Sequence, residues 1–119
     1  DELNHMAYRN LSGAVACFTV YSAAPVDAIR IITSRIRANE VLYQYSWNTY
    51  CIALWNVDKH GAAQAVARLG SGILDHDQTY IADAGVALVP SEATTANQAV
   101  AISLHRNAPV QQWIRHVTP

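Results

Sequence analysis

Residues Val41 to Val57, VLYQYSWNTYCIALWNV, decide how the rest of the chain is read. Val, Tyr, Trp, Ile and Thr crowd this stretch, and it holds no Pro or Gly. Such residues fit a pleated surface, so the stretch reads as strand rather than helix. Its one polar break is Asn48-Thr49, which makes it two strands joined by a tight turn: a β-hairpin.

Side chains alternate along a strand, so the parity of the loop sets which residues share a face. An even loop centred on Asn48-Thr49, either a two-residue turn or a four-residue loop on a type I turn, pairs Trp47 with Tyr50, Tyr45 with Ile52 and Tyr43 with Leu54. Val41, Tyr43, Tyr45, Trp47, Tyr50, Ile52 and Leu54 then share one face. Leu42, Gln44, Ser46, Cys51, Ala53 and Trp55 share the other, which is too apolar for open water.

Outward from the hairpin, the chain supplies what a sheet needs. Before it, Gly13 opens a run from Ala14 to Tyr21 that is apolar on both faces, as in an interior strand. Ser22 to Pro25 then supply a helix start, with Asp27 near the positive end of the dipole. Val26, Ile29, Ile32 and Ile36 recur at helical spacing, while Arg30, Arg35 and Arg37 lie off the stripe as a solvated face. After the hairpin, Asp58 caps a second helix with Ala62, Ala65, Val66 and Leu69 as its buried stripe, ending at Gly70-Ser71-Gly72. Small residues there suit large ones on the sheet, which places the Tyr/Trp face under the helices. Thr79 to Val89 reads as a strand that bends at Gly85 and stops at Pro90.

The order to this point is β-α-β-β-α-β, the ferredoxin-like arrangement of an antiparallel sheet with two helices on one face, in an α+β domain. Several families share that topology, and no motif decides among them. In the last third, the alternation of Val100, Ile102 and Leu104 favours a strand over a helix for Gln98 to Leu104. Pro109 opens a final short helix, with Val110, Trp113, Ile114 and Val117 on one stripe. Asp1 to His5, ahead of Met6, reads as a vector-derived leader, leaving 6–119 as one domain.

Composition narrows the function classes. Hydrophobic residues make up 51% of the 119 and charged residues 14%, against roughly 25% in most soluble domains. So little charge points to burial in an oligomer, a dimer first. A single Lys, Lys59, and seven scattered Arg form no basic tract, which disfavours nucleic acid. No apolar run approaches the roughly 20 residues that span a bilayer, and the compartment expected is the cytoplasm. Cys17 and Cys51 read as free buried thiols.

No motif calls for a metal or cofactor. Gly70-Ser71-Gly72 lacks the Lys and context of a phosphate loop. Asp75-His76-Asp77 reads as a solvated turn, Asp58 and His60 as a helix start, and His105 and His116 as surface residues. Cys51 has no paired His and reads as inert packing rather than a nucleophile. The leading functional reading is a non-enzymatic binding or regulatory module that self-associates through its sheet. Its alternative is a small-molecule-binding protein or cofactor-independent enzyme. That pocket would lie between sheet and partner chain and take an apolar or aromatic ligand against Tyr43, Tyr45, Trp47, Tyr50 and Trp55.

Overall fold

A computed structural model describes residues 12–21, 25–38, 40–76 and 81–117. The leader expected at Asp1 to His5, the helix start at Ser22 to Ala24 and the 77–80 part of the turn and strand lie outside the described residues.

The apolar run before the hairpin becomes β1 (Gly13–Val20), buried at every position. It is followed by α1 (Pro25–Arg35), β2 (Glu40–Gln44), β3 (Thr49–Trp55), α2 (Lys59–His76) and β4 (Ala82–Val89). The last third adds α3 (Ala96–His105), a two-residue β5 (Ala108–Pro109) and α4 (Val110–Val117). The strands form one antiparallel sheet in the order β2-β3-β1-β4-β5. The domain is therefore α+β with the ferredoxin-like order read from the sequence. No helix among the described residues is long and apolar enough to cross a membrane.

The sheet has two apolar faces, and both are covered. Phe18, Val20, Tyr50, Ile52 and Leu54 meet Ile32 of α1, with Val66, Leu69 and Ile73 of α2 and Val110 of α4. On the other face, Val15, Cys17, Cys51, Ala53 and Ala87 lie under Ala99 and Val100 of α3. Two sequence readings are corrected by this second layer. The 98–104 segment is helix rather than strand. Thr95 caps it by accepting a hydrogen bond from the Gln98 N–H, which satisfies a donor that has no partner inside the helix. With α3 in place, the sheet face on which self-association was to be built is not open.

Close approach makes this cover possible. A Cβ added at Gly85 would stand 1.8 Å from the Ser103 carbonyl oxygen, so only glycine lets the backbone of α3 settle on β4. The fully buried Ser103 hydroxyl lies 3.0 Å from the Val15 carbonyl oxygen and 2.8 Å from that of Ala99, and its single proton can serve either.

Two further readings change for local reasons. The second helix does not stop at Gly70; it runs to His76, because Gly70 and Gly72 give space to Val110 of α4 and to the Arg35 side chain rather than breaking the helix. The hairpin register is odd, not even: Leu42 pairs with Ile52, Tyr43 with Cys51 and Gln44 with Tyr50. The Tyr45 and Ser46 N–H groups both donate to the Thr49 carbonyl, at 2.9 and 3.2 Å. The Ser46 hydroxyl donates to Asn48 Oδ1 at 3.2 Å, and the Gln44 side-chain amide to the Ser46 carbonyl at 2.9 Å. These bonds close Ser46 to Asn48 into an odd loop, and the three-residue shift in register, which puts Cys51 rather than Leu54 opposite Tyr43, is an odd number and so turns all of β2 over.

Candidate functional site

The flipped register divides the aromatic residues expected on one face, moving Tyr43 away from Tyr50 to the face expected for Trp55. Tyr50 is buried beneath the helices on the α1/α2 face. Tyr43 and Trp55 pack half-buried at the margin of the opposite face. Tyr45 and Trp47 stand out from the hairpin loop, 57% and 71% exposed. None of the five lines either of the two clefts described next.

A cleft of about 680 Å³ opens elsewhere, where the start of α2, β4, the C-terminal end of α3 and α4 converge. Ala63, Val86, Leu88 and Trp113 supply its apolar surface; Asp58, Lys59, His60, Glu92, Arg106 and His116 supply its polar groups. A second cleft of about 650 Å³, along Ser12, Gly13 and Asn56, shares Asp58, Lys59 and Leu88 with the first.

Each wall is fixed by local chemistry. The Trp113 indole N–H donates to the Ala84 carbonyl at 2.7 Å, which ties α4 to β4 and leaves the indole little freedom. Asp58 caps α2, accepting from the Gly61 N–H at 2.8 Å. Arg106, the C-cap of α3, reaches back to Glu92: its two terminal nitrogens lie 2.8 and 2.7 Å from the two carboxylate oxygens. One of those nitrogens also donates to the Val86 carbonyl at 3.3 Å. Glu92 accepts in addition from the Leu88 N–H at 2.8 Å. The Arg106 guanidinium, that amide and the more distant Lys59 together hold the Glu92 carboxyl below the usual carboxylate range.

The polar lining is thus formally balanced, two cations against two anions. Arg106 and Glu92 largely satisfy each other and Asp58 is engaged as a cap, so Lys59 is the cation with most capacity to meet a ligand. Among the described residues no group of three or more His, Cys, Asp or Glu side chains comes together to hold a metal ion. Of the histidines, His60 and His116 line the cleft, while His105 ends α3. Asp75 is exposed near the end of α2, and Asp77 lies outside the described residues.

Sequence reasoning treated Asp58, His60 and His116 as bland and missed Glu92 and Arg106. Trp113 was read only as core. The i, i+3, i+4 stripe of α4 cannot reveal that part of the indole lines a cavity.

No family model matches the chain, and no curated protein does. Solved structures do match. A DGC protein from Thermotoga maritima superposes with a TM-score of 0.72 at 13% identity, over 90% of this chain and 86% of that one. A sensory box/GGDEF family protein from Caulobacter crescentus gives 0.69 at 17%, over 88% and 81%. A diguanylate cyclase from Pseudomonas aeruginosa, solved with its activator, gives 0.65 at 15%, over 97% of this chain and 51% of that one.

The fold resembles that of GGDEF domains. At these identities the likeness concerns architecture. The string that the family name spells, Gly-Gly-Asp-Glu-Phe, does not occur here: the five glycines all stand apart, and the one phenylalanine, Phe18, is buried in β1. The likeness still corrects the leading functional reading. A non-enzymatic module self-associating through an open sheet gives way, because α3 closes the face that reading relied on and the architecture is shared with a structure described as a diguanylate cyclase.

Proposed function

We propose that this chain is a small-molecule-binding domain of GGDEF-like architecture, and that its ligand is a purine nucleotide held in the cleft between α2, β4 and α4. One observation carries the reading: a cleft of nucleotide size in which an anchored indole and three aliphatic side chains meet a polar rim. Ligand sites are commonly concave, apolar in the main and roughly 300 to 1,000 Å³, with a few polar groups that set orientation. A planar base stacks on Trp113, burying apolar area on both partners. Lys59, at the first turn of α2, is placed for a phosphate, and Glu92 for an amino or ring N–H on the base edge. The fold adds weight, since structures sharing it include a diguanylate cyclase and a microbial GGDEF domain in an interaction with cyclic di-GMP.

Isothermal titration of the protein with GMP, GTP and cyclic di-GMP tests this, alongside the Lys59→Ala and Trp113→Phe variants. The expected result is micromolar binding of at least one nucleotide, weakened at least about tenfold by either substitution, which corresponds to roughly 1.4 kcal/mol. Failure of all three to bind at millimolar concentration sinks the nucleotide reading. Binding that is unchanged in both variants moves the site away from the cleft. Chromatography of a GTP incubation tests for turnover, and a cyclic dinucleotide product would extend the reading from binding to catalysis.

A further inference from the structure

Cys17 and Cys51 stand directly opposite each other on β1 and β3, with their sulfur atoms 2.9 Å apart. Neither is exposed, and both lie beneath α3. Directly opposed residues of antiparallel strands have Cα atoms roughly 4.5 to 5.5 Å apart, within the range that a disulfide spans. A third group attends the pair. Tyr43 stands opposite Cys51 on β2, and its buried hydroxyl has no hydrogen-bond partner.

We propose that Cys17 and Cys51 are a dithiol that a hydroperoxide converts to an intramolecular disulfide across β1 and β3, the strands keeping their register. The sulfurs need to close by only about 1 Å to reach bonding distance. This inference is independent of the ligand proposed for the cleft.

The step balances as follows. The Cys51 sulfur attacks one oxygen of hydrogen peroxide and breaks the O–O bond; the thiol proton leaves with the departing hydroxide as water, and Cys51 becomes a sulfenic acid. The Cys17 sulfur then attacks the Cys51 sulfur and breaks its S–O bond, and the Cys17 proton leaves with that hydroxyl as a second water. Two thiols and one peroxide give one disulfide and two waters, with two electrons passing from sulfur to oxygen. Either sulfur can be the donor in the S–H···S contact, so the two can exchange roles and the same disulfide results. The oxidant must be small, because both sulfurs are covered; local opening of α3 is its route in.

The test treats the native protein with hydrogen peroxide, quenches it with catalase, unfolds it in guanidinium and adds iodoacetamide. The expected product takes up no alkyl group and, apart from oxygen gained by Met6, is about 2 Da lighter for its two lost hydrogens. Digestion should then yield one linked pair of peptides holding Cys17 and Cys51. The melting temperature should rise by roughly 10 °C or more, because the bond closes a long loop in the unfolded chain, and dithiothreitol should reverse the rise. Cys51→Ser should abolish the rise. Two alkyl groups on the treated protein, sulfinic or sulfonic acid at either cysteine, or links only between chains would each overturn the proposal. The mass readout on the unaltered chain decides the matter even if the variant folds poorly.

Discussion

Replacing Gly85 with Ala should unseat α3, and the size of the effect follows from what the new methyl meets. Its Cβ would lie 1.8 Å from the Ser103 carbonyl oxygen, 2.9 Å from the Ser103 carbonyl carbon and 3.2 Å from the Arg106 carbonyl carbon. All three are backbone atoms of a packed helix end, so no rotamer change relieves the clash and the helix itself must lift. Overpacking a core costs roughly 1 to 3 kcal/mol, and a backbone obstacle puts this substitution at the upper end, about 3 kcal/mol. For a chain of this length that lowers the melting temperature by on the order of 10 °C. Two other glycines serve as controls. Gly61→Ala in the first turn of α2 meets nothing closer than Val57 Cβ at 3.3 Å, and Gly72→Ala displaces only the exposed Arg35 side chain, so each should lie between neutral and about 1 kcal/mol stabilising. Urea denaturation of the three variants, with amide exchange across Ala99 to Ser103, measures all of this. If Gly85→Ala melts within a degree or two of the parent with those amides still protected, α3 does not rest on β4 and the account of the second face is wrong.

Other substitutions separate buried from exposed electrostatics. Arg68→Ala removes the partner of Glu40, a carboxylate whose side chain is 4% exposed and which ties β2 to α2. It should cost about 2 to 3 kcal/mol in chemical denaturation, whereas Arg106→Ala, at a largely exposed pair, should cost at most about 1. The Glu92 carboxyl is held below its ordinary value of roughly 4.3, so the small stabilisation from its pairing is present above that pH and lost as the pH falls through the lower folded value. A stability profile between pH 2 and 6 should therefore show a slightly steeper acid loss in the parent than in Arg106→Ala, and parallel profiles would count against the pairing. Because α3 covers the second face, Trp55→Arg at its margin should leave the mass found by light scattering unchanged; a change would show that assembly does use that face.

Much of the architecture was legible in the residues themselves, and the reason is local. The unbroken apolar run of β1, the strand formers either side of Asn48-Thr49, the alanine stripe of α2 and the Val110, Trp113, Ile114 stripe of α4 carry their periods in neighbouring side chains. Those periods determine which element forms, and hence the β-α-β-β-α-β order. Features set by atoms far apart in the chain could not be read this way. The parity of the hairpin loop depends on a few hydrogen bonds among Gln44, Ser46, Asn48 and Thr49, worth little each yet sufficient to turn β2 over and part Tyr43 from Tyr50. Gly70 looks like a helix end until Val110 is seen against it, and Gly85 looks like a bend until Ser103 is seen there. Val100, Ile102 and Leu104 alternate as a strand would, but Ala99, Val100 and Ser103 also share a helical face, and only the sheet beneath selects it. The cleft was invisible for the same reason: Lys59, Glu92, Arg106 and Trp113 come from four separate segments, and a cavity is a property of how packed surfaces fail to meet, which no period in the sequence encodes.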